Sequence, residues 1–318
     1  MKKILITGAQ GFVGSYVSEV FINHGYDVVA YGLGDNHLLL ELGEEKNKHI
    51  QIIQGDICDK KMLTEASKDC EGIIHLAALK SVQESFSNPL KYKSVNVEGT
   101  KNVFETAYLN KIQKVIFTSS SEVYGQPKEL LIKEEHPLEG LSPYAKVKIQ
   151  GEELAKQYMA KGLNITILRP TNIFGPRQST QAVIPIIITQ MVRKQKELKI
   201  GLLSPTVDFN YVEDVANAFY LSYINENTNG ETFNVCTGIS TSIGEIADYV
   251  IEKVNPNAVI VCDKEKVRVV SDANKRIAGD NSKLRQYTDW QVEHTIWQGI
   301  DLTIKYIKEH EEEKRYEP

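Results

Sequence analysis

Short apolar runs alternate with longer segments of helical period along the first half of the chain. Each run has the length of a buried strand, and a polar segment with helical spacing separates it from the next. Six runs are of this kind: Ile4–Thr7, Asp27–Tyr31, Ile50–Gln54, Gly72–Leu76, Lys114–Ser119 and Ile165–Arg169. Repeated strand–helix–strand units form a parallel sheet with helices on both faces. The pattern therefore predicts an α/β fold built on a doubly wound parallel sheet.

The regular alternation of predicted strands and helices ends after Pro170, where the chain becomes richer in loops. Four later elements are predicted: strands at Phe233–Cys236 and Val259–Val261, and helices at Ile243–Val254 and Thr295–His310. We expect residues 1–170 to form a nucleotide-binding domain to which later strands return. Residues 171–318 should form mainly a smaller substrate-binding lobe. A ligand would lie between the two, beyond the carboxyl ends of the strands.

A glycine-rich turn follows the first predicted strand. Gly8, Gly11 and Gly14 recur at three-residue spacing, and Phe12 and Val13 open the helix that follows. Glycine permits a tight turn, a close approach of the backbone to a pyrophosphate, and close packing of helix on strand. The helix N-terminus would face the phosphates. A purely structural turn is the alternative, but the position at the first strand–helix junction favours a Rossmann-type dinucleotide site.

The Gly-x-x-Gly-x-x-Gly spacing resembles the short-chain dehydrogenase/reductase superfamily. This resemblance implies a bound nicotinamide dinucleotide. It also implies an adenine clamp at Asp56 and Ile57, and a loop beneath the pyrophosphate formed by Leu76, Ala77 and Ala78. The neighbouring His75 is expected to be a core histidine with satisfied hydrogen bonds rather than a catalytic group.

The end of the second predicted strand lacks a feature common at dinucleotide sites. An acidic residue there usually binds the adenosine ribose hydroxyls, but Gly32 stands at this place. Asp35 could replace the acid, or the backbone could hold the ribose. No arginine follows that would receive a 2′-phosphate. The sequence therefore favours NAD as the cofactor and leaves NADP open.

Tyr144 and Lys148 are four residues apart on a helix that begins after Pro143, so they share one face. The unperturbed pKa of tyrosine, about 10, is too high for a base at neutral pH. A neighbouring ammonium and a positive nicotinamide would favour the phenolate. A Tyr–Lys pair alone is more often a solvated helix face. Ser120 changes that judgement, because it follows an apolar strand upstream of the pair, where a hydroxyl can bind a sugar oxygen.

The glycine turn, Ser120, Tyr144 and Lys148 occur in the order of the Ser/Thr–Tyr–Lys triad of extended short-chain enzymes, which they resemble. Within that family, galactose-type 4-epimerases usually carry a small or hydroxyl residue two positions after the serine, whereas nucleotide-sugar 4,6-dehydratases carry a glutamate. This chain has Glu122. A carboxyl group there can take the C5 proton and assist loss of the C6 hydroxyl. A loop-capping glutamate is the alternative, and related decarboxylases and 4-keto-sugar reductases can also show Ser-Glu.

Further segments resemble the substrate lobe of the same family: Arg169–Gln178, Ala182–Pro185, Leu203–Asp214 and Asp280–Lys283. The resemblance runs from Lys3 to about Tyr306 and is greatest to UDP-N-acetylglucosamine 4,6-dehydratases. It implies that a nucleotide diphosphate sugar contacts six side chains: Ser121, Asn172, Arg177, Val183, Asn210 and Arg268.

Two positions and one segment depart from the family pattern. Val207 stands where an arginine usually helps to neutralise the diphosphate, so Arg177 or Arg268 would have to supply that charge. Ser121 replaces the aspartate of thymidine-diphosphate-glucose dehydratases. The segment Lys80–Ser85 is closer to that of the epimerases.

The resemblance implies an NAD-dependent nucleotide-sugar 4,6-dehydratase, a lyase. In that reaction Tyr144 removes the 4-hydroxyl proton, hydride passes from C4 to the nicotinamide, Glu122 serves the elimination of water, and the hydride returns to C6. The rival enzymes are a 4-epimerase and a 4-oxidoreductase or 4-keto-sugar reductase on the same ligand class. A nucleotide-sensing binding protein is the non-enzymatic alternative, although binding alone would not need the intact Ser120, Tyr144 and Lys148 set.

Composition restricts the partners. The chain has 318 residues, of which 42% are hydrophobic and 25% charged, and its net charge is −5. Its basic residues are scattered, so the sequence indicates no basic patch that would bind a nucleic acid. The apolar start is too short for a signal peptide, and no apolar run approaches the roughly 20 residues that cross a bilayer. We therefore expect a cytoplasmic protein without membrane contact.

The four cysteines of the chain follow no metal-binding or disulfide pattern. Cys58, Cys70, Cys236 and Cys262 form no Cys-x-x-Cys pair and have no nearby histidines, so we expect no metal site and no disulfide framework, and interpret the four as small buried hydrophobes.

Helical segments Val95–Leu109 and Tyr144–Met159 resemble the pair that forms a four-helix contact in this superfamily. A two-fold interface would bury their outer apolar residues, which predicts a homodimer.

Overall fold

The computed structural model of the protein describes residues 2–263 and 276–316, with side chains up to residue 311. Seven parallel strands form its main sheet. They are β1 (Lys2–Thr7), β2 (Tyr26–Gly32), β3 (Ile50–Gln54), β4 (Gly72–His75), β5 (Lys114–Thr118), β6 (Ile165–Pro170) and β10 (Thr232–Val235), in the spatial order β10-β6-β5-β4-β1-β2-β3. The predicted doubly wound α/β fold is confirmed, and each of the six predicted strands is present.

Helices cover both faces of this sheet. The helices of the first 230 residues are α1 (Phe12–Asn23), α2 (His37–Leu40), α3 (Glu44–Asn47), α4 (Lys60–Ala66), α5 (Val82–Ser87), α6 (Pro89–Lys93), α7 (Thr100–Leu109), α8 (Pro143–Met159), α9 (Val183–Val192) and α10 (Val212–Ile224). Along β1, Ile4 and Ile6 pack with α1 and α10, whereas Leu5 packs with α4, α7 and α8. Successive side chains of a strand point to opposite faces, so the continuous apolar run in β1 is buried on both sides.

A second unit lies downstream of β6. Its strands are β7 (Asn172–Phe174), β8 (Glu197–Ile200), β9 (Thr206–Tyr211), β11 (Ser240–Ser242) and β12 (Val259–Cys262), and its later helices are α11 (Ile243–Val254), α12 (Ser282–Tyr287) and α13 (Ile296–Tyr316). β9 pairs with β7 and β11, and β12 pairs in parallel with β8. The predicted strand at Phe233–Cys236 is instead β10, which returns to the main sheet beside β6. A division at residue 170 stays a prediction.

The strand order places one crevice in the main sheet. β1 lies between β2 and β4, and the chain winds outward from it in both directions. In open α/β sheets ligands bind at such a reversal, outside the carboxyl ends of the strands. The glycine turn after β1 and the loop after β4 meet at this point, so the fold brings two of the predicted cofactor segments together.

The cysteine prediction is wrong for two of the four residues. Cys70 and Cys236 are buried, whereas Cys58 lies exposed in the loop after β3 and Cys262 is the exposed last residue of β12. All four are free thiols. Among residues 2–263 and 276–316, no group of three or more side chains could hold a metal ion. Across the same ranges, every helix is too short or too polar to span a bilayer.

The two helices expected at a dimer interface show different outer faces. At the end of α7, Tyr108 and Leu109 are exposed. On α8, every fully exposed position is polar, as at Lys146, Gln150 and Glu153. The expected apolar outer face is therefore limited to α7 and its surroundings, and the homodimer stays a prediction.

Candidate active site

The glycine turn is shaped by contacts that exclude side chains. Gly8 has a φ of +75°, and a Cβ added there would lie 2.9 Å from the backbone nitrogen of Ala77. A Cβ on Gly14 would overlap the carbonyl oxygen of Gly8. Each glycine therefore permits a backbone approach that no other residue would allow. The turn lies directly against the loop that follows β4.

Helix α1 begins on this turn without a side-chain cap. Gly11 occupies the N-cap position, and its N–H donates to the Gly8 carbonyl at 3.0 Å. No capping side chain takes the amide groups of the first helical turn, where Phe12 and Val13 lie. Free amide groups and the helix dipole favour an anion at such an end. The residues therefore fit the pyrophosphate of a dinucleotide.

His75 fixes the loop opposite the turn. Its Nδ1 lies 2.8 Å from the Thr7 hydroxyl and its Nε2 lies 2.9 Å from the Thr100 hydroxyl. The Thr7 hydroxyl also accepts a hydrogen bond from the N–H of Ala77 at 3.2 Å. Burial, and to a smaller extent the charge of Lys148, lowers the pKa of His75 to about 3, so the ring is neutral. These contacts are those expected of a core histidine, and they position the segment Leu76–Ala78.

The predicted adenosine residues have unequal surroundings. Ile57 is buried, and an Asp56 carboxylate oxygen accepts the N–H of Cys58 at 2.9 Å. Asp35 is exposed and contacts the ring of His37. At the end of β2 the space beside Gly32 is taken by the side chain of Gln10, a residue of the glycine turn that sequence reasoning missed.

Ser120, Glu122 and Tyr144 come together from two elements. Ser120 follows β5 and caps a short 3₁₀ helix at Ser121–Tyr124, with its Oγ accepting the N–H of Glu122 at 3.2 Å. Tyr144 stands in the first turn of α8 and shares a hydrogen bond with the Ser120 hydroxyl. The carboxylate of Glu122 is close enough to raise the pKa of Tyr144. The structure thus joins the predicted serine, tyrosine and glutamate in one cluster.

Lys148 lies one turn further along α8. Its Nζ donates to the Thr118 carbonyl oxygen at 2.7 Å and lies 6.0 Å from the centre of the Tyr144 ring. Burial lowers the pKa of Lys148 to about 8, opposed by the carboxylate of Glu152. At neutral pH the ammonium form still predominates, because the pKa lies above 7.

In the protein without a bound cofactor the pKa of Tyr144 is raised, so the expected joint effect of Lys148 and a positive nicotinamide stays a prediction. Burial is the largest effect on Tyr144 and raises its pKa to about 12, Glu122 raises it further, and only the Ser120 hydrogen bond lowers it. Loss of solvation disfavours the charged form of a buried phenol. Lys148 is directed at a backbone carbonyl instead. In the protein alone Tyr144 is therefore a neutral phenol at physiological pH.

A buried ion pair joins β6 to α8 next to the cluster. Arg169, near the end of β6, donates to both carboxylate oxygens of Glu152 on α8, at 2.8 and 2.6 Å. The Ser119 hydroxyl donates to the same carboxylate at 2.5 Å, and Arg169 also donates to the Tyr124 hydroxyl at 2.9 Å. The pair thereby fixes α8 against β5 and the 3₁₀ helix. Sequence reasoning missed Glu152, although its place one helical turn after Lys148 was a usable signal.

Four of the predicted substrate residues differ in accessibility. Asn172 is exposed at the start of β7, Val183 is half-buried at the start of α9, and Ser121 is buried beside Ser120. Asn210 is fully buried, and its amide donates to the Thr171 hydroxyl at 2.8 Å and to the Val235 carbonyl at 2.5 Å. The amide nitrogen of Asn210 is therefore committed to the protein, and Asn172 has the more accessible side chain.

Arg177 pairs with acidic side chains of the protein itself. Its guanidinium pairs with Glu19 at 3.0 Å and Glu41 at 3.6 Å, and it lies 4.4 Å from the centre of the Tyr16 ring. Two carboxylates compensate its charge, so a diphosphate would have to compete with both pairs. A contact of Arg177 with the substrate stays a prediction. The other candidate, Arg268, lies outside the described residues.

A sequence model described as GDP-mannose 4,6 dehydratase matches residues 5–303. The chain belongs to this family. A UDP-glucose 4-epimerase of Mycolicibacterium smegmatis is 31% identical over 320 residues, covering 96% of this chain and 98% of that protein. A dTDP-D-glucose 4,6-dehydratase of Homo sapiens is 28% identical over 322 residues, covering 97% and 91%. The range 5–303 matched by the family model includes every element of the candidate site.

The structural comparison agrees with the family. A UDP-glucuronic acid 4-epimerase from Bacillus cereus, solved with UDP-glucuronic acid and NAD, has a TM-score of 0.86 and 27% identity, covering 97% of this chain and 99% of that chain. The extended short-chain dehydrogenase/reductase resemblance is thereby confirmed, as are the Rossmann-type fold and NAD as the cofactor. The family member described here is an NAD-dependent enzyme that modifies nucleotide sugars, and its relatives include both dehydratases and 4-epimerases.

Proposed function

We propose that the protein is a nucleotide-sugar 4,6-dehydratase that forms a 4-keto-6-deoxy sugar. The observation that carries the proposal is the position of Glu122 in the same cluster as Ser120 and Tyr144. The carboxylate of Glu122 is near enough to the phenol to raise its pKa. If Tyr144 serves the C4 oxygen of a hexose, Glu122 is well placed to serve the neighbouring C5 and C6.

The proposed roles follow from the hydrogen-bonding capacity of each group. The Ser120 hydroxyl orients the 4-oxygen, and Tyr144 takes the 4-hydroxyl proton as the ketone forms. The ketone acidifies C5, so the Glu122 carboxylate can remove the C5 proton and a proton can pass to the departing 6-hydroxyl as water leaves. NAD, when bound, supplies the acceptor for the C4 hydride and the donor that returns it to C6.

The remaining residues bind and position. The glycine turn of Gly8, Gly11 and Gly14 would hold the pyrophosphate, and Lys148 would hold the nicotinamide ribose. Asn172 is the exposed candidate for contact with the nucleotide sugar. Ser121, Val183 and Asn210 remain proposed contacts, with Asn210 limited to its side-chain oxygen because its amide nitrogen is engaged.

Mass spectrometry of candidate nucleotide sugars after incubation with the protein tests the proposal. A dehydratase converts its substrate into a product lighter by one water, and in deuterated buffer it incorporates deuterium at C5. We expect both results with at least one UDP-, GDP- or dTDP-hexose. A product of unchanged mass would contradict dehydration.

A 4-epimerase is the second candidate, and the epimerase relatives favour it. In that reaction the C4 hydride returns to C4 from the other face of the sugar, and Glu122 is only a polar contact. The product would then be the C4 epimer, with no deuterium at C5. The same incubation therefore separates the two candidates.

A further inference from the structure

Gln10 is a buried amide that makes no hydrogen bond through its side chain. The residue is only 4% exposed, and both its Oε1 and its Nε2 are buried without a hydrogen-bond partner in the described structure. A buried polar group without a partner costs free energy, and such groups in native proteins usually have a partner that completes them. Gln10 belongs to the glycine turn, so the missing partner is to be sought at the cofactor.

The side chain of Gln10 fills the place of the missing acid. A Cβ added to Gly32, the last residue of β2, would lie 2.5 Å from the Gln10 Oε1. A Cβ added to Gly34 would lie 2.9 Å from the Gln10 Cβ. Gln10 and a larger residue at position 32 are therefore mutually exclusive in this arrangement, and the two glycines make room for the glutamine.

The other candidate for the ribose is less suitable. Asp35 is largely exposed and its carboxylate contacts His37. Asn36, next to it, carries a second buried side-chain oxygen without a partner. The Gln10 amide and the Asn36 side-chain oxygen, both without partners, thus lie near the end of β2, which is where a dinucleotide places its adenosine ribose.

We propose that the Gln10 side chain binds the adenosine ribose of the dinucleotide in place of the usual acidic residue. Its Oε1 can accept a hydrogen bond from one ribose hydroxyl while its Nε2 donates to the other oxygen. No hydrogen bond within the described structure holds the amide, so a contact with the ribose would break none. The inference concerns cofactor choice and holds whether the sugar chemistry is dehydration or epimerisation.

The charge of the residue at the ribose affects how the site discriminates NAD from NADP. A carboxylate at the ribose repels a 2′-phosphate, whereas a neutral amide does not and can donate to it. The protein should therefore prefer NAD to NADP by no more than about 10-fold, which is about 1.4 kcal/mol. Gln10→Glu keeps the side-chain length and adds the negative charge, so it should raise the preference at least about 10-fold.

Competition between the two dinucleotides tests this without reference to activity. Each purified variant is exchanged against an equimolar mixture of NAD and NADP, and the retained dinucleotides are released by denaturation and quantified by mass spectrometry. Gln286→Glu is the matched control, because it makes the same substitution at an exposed glutamine on α12. The control should keep the wild-type ratio, and thermal unfolding should show that every variant is folded.

A double substitution provides the sharper test. Gly32→Asp alone should lose both dinucleotides, because the new side chain collides with Gln10. Gln10→Ala alone should weaken NAD retention by about 10-fold. The two together should recover NAD binding and reject NADP, since the aspartate enters the vacated space and the effects are not additive. Two results would show that Gln10 does not bind the ribose. One is an NAD to NADP ratio in Gln10→Glu equal to that of the wild type, and the other is a double variant that binds NAD no better than Gly32→Asp.

Discussion

Replacing Glu122 by glutamine separates oxidation at C4 from elimination at C5 and C6. The substitution keeps the shape and the backbone N–H that donates to Ser120 at 3.2 Å, but it removes the carboxylate that can carry a proton. Loss of a general acid or base typically slows its step by about 10²- to 10⁴-fold. That corresponds to about 2.7 to 5.5 kcal/mol in activation free energy.

The effect on oxidation has the opposite sign. Burial raises the pKa of Tyr144 to about 12, and Glu122 contributes to the rise because its negative charge opposes ionisation of the phenol. Removing that charge lowers the pKa of Tyr144 and makes the phenol easier to deprotonate. Proton removal from the 4-hydroxyl should therefore proceed at least as readily in Glu122→Gln as in the wild type.

Rapid mixing of Glu122→Gln with its nucleotide sugar should show the two effects together. Reduced-nicotinamide absorbance should build up, and mass spectrometry should find a 4-keto sugar that retains its 6-hydroxyl. Glu153→Gln is the matched control, since Glu153 is an exposed glutamate on α8 and should leave turnover unchanged. Turnover of Glu122→Gln at the wild-type rate, or a wild-type product that is only the C4 epimer, would refute the reasoning.

Three further results are expected. Tyr144→Phe should abolish both oxidation and elimination, leaving the cofactor oxidised when substrate is added, because the phenol that shares a hydrogen bond with Ser120 is lost; an accumulation of reduced cofactor in this variant would contradict the role of Tyr144. The purified protein should release NAD on denaturation without any having been added, since the proposed cycle regenerates the cofactor; well-folded protein without dinucleotide would count against that cycle. Light scattering at micromolar concentration should give the mass of a dimer, and a monomer mass would refute the predicted homodimer.

The main sheet could be predicted from the sequence because most strands of its first half contain a short apolar run. Burial on both faces makes such a run recognisable without knowledge of its partners, as at Leu5 and Ile6 of β1. β10 was harder to place, because its position beside β6 depends on a long connection through the second unit. Local pattern identifies a strand but does not specify which sheet it joins.

The site could be predicted in part for a similar reason. Ser120, Tyr144 and Lys148 lie in recognisable local motifs, and the fold brings them together at one end of β5 and α8. The partners of Arg177 are not local: Glu19 is 158 residues away in sequence, so no spacing rule indicates the ion pair that occupies the guanidinium. The effect of burial on the pKa of Tyr144 has no signal in the sequence, because a helical spacing does not measure burial.

The charges around Tyr144 make its reactivity depend on what binds beside it. With a pKa of about 12 the phenol is neutral at physiological pH, and Glu122 adds to the cost of ionisation. Lys148 has a pKa of about 8 and is mostly charged, yet its ammonium donates to a backbone carbonyl at 2.7 Å rather than to the phenol. The positive charge that brings the pKa of Tyr144 towards neutrality must therefore come from the bound cofactor or from a reorientation of Lys148. Either route makes proton removal from a sugar hydroxyl conditional on a filled dinucleotide site, so the protein alone does not hold an ionised tyrosine.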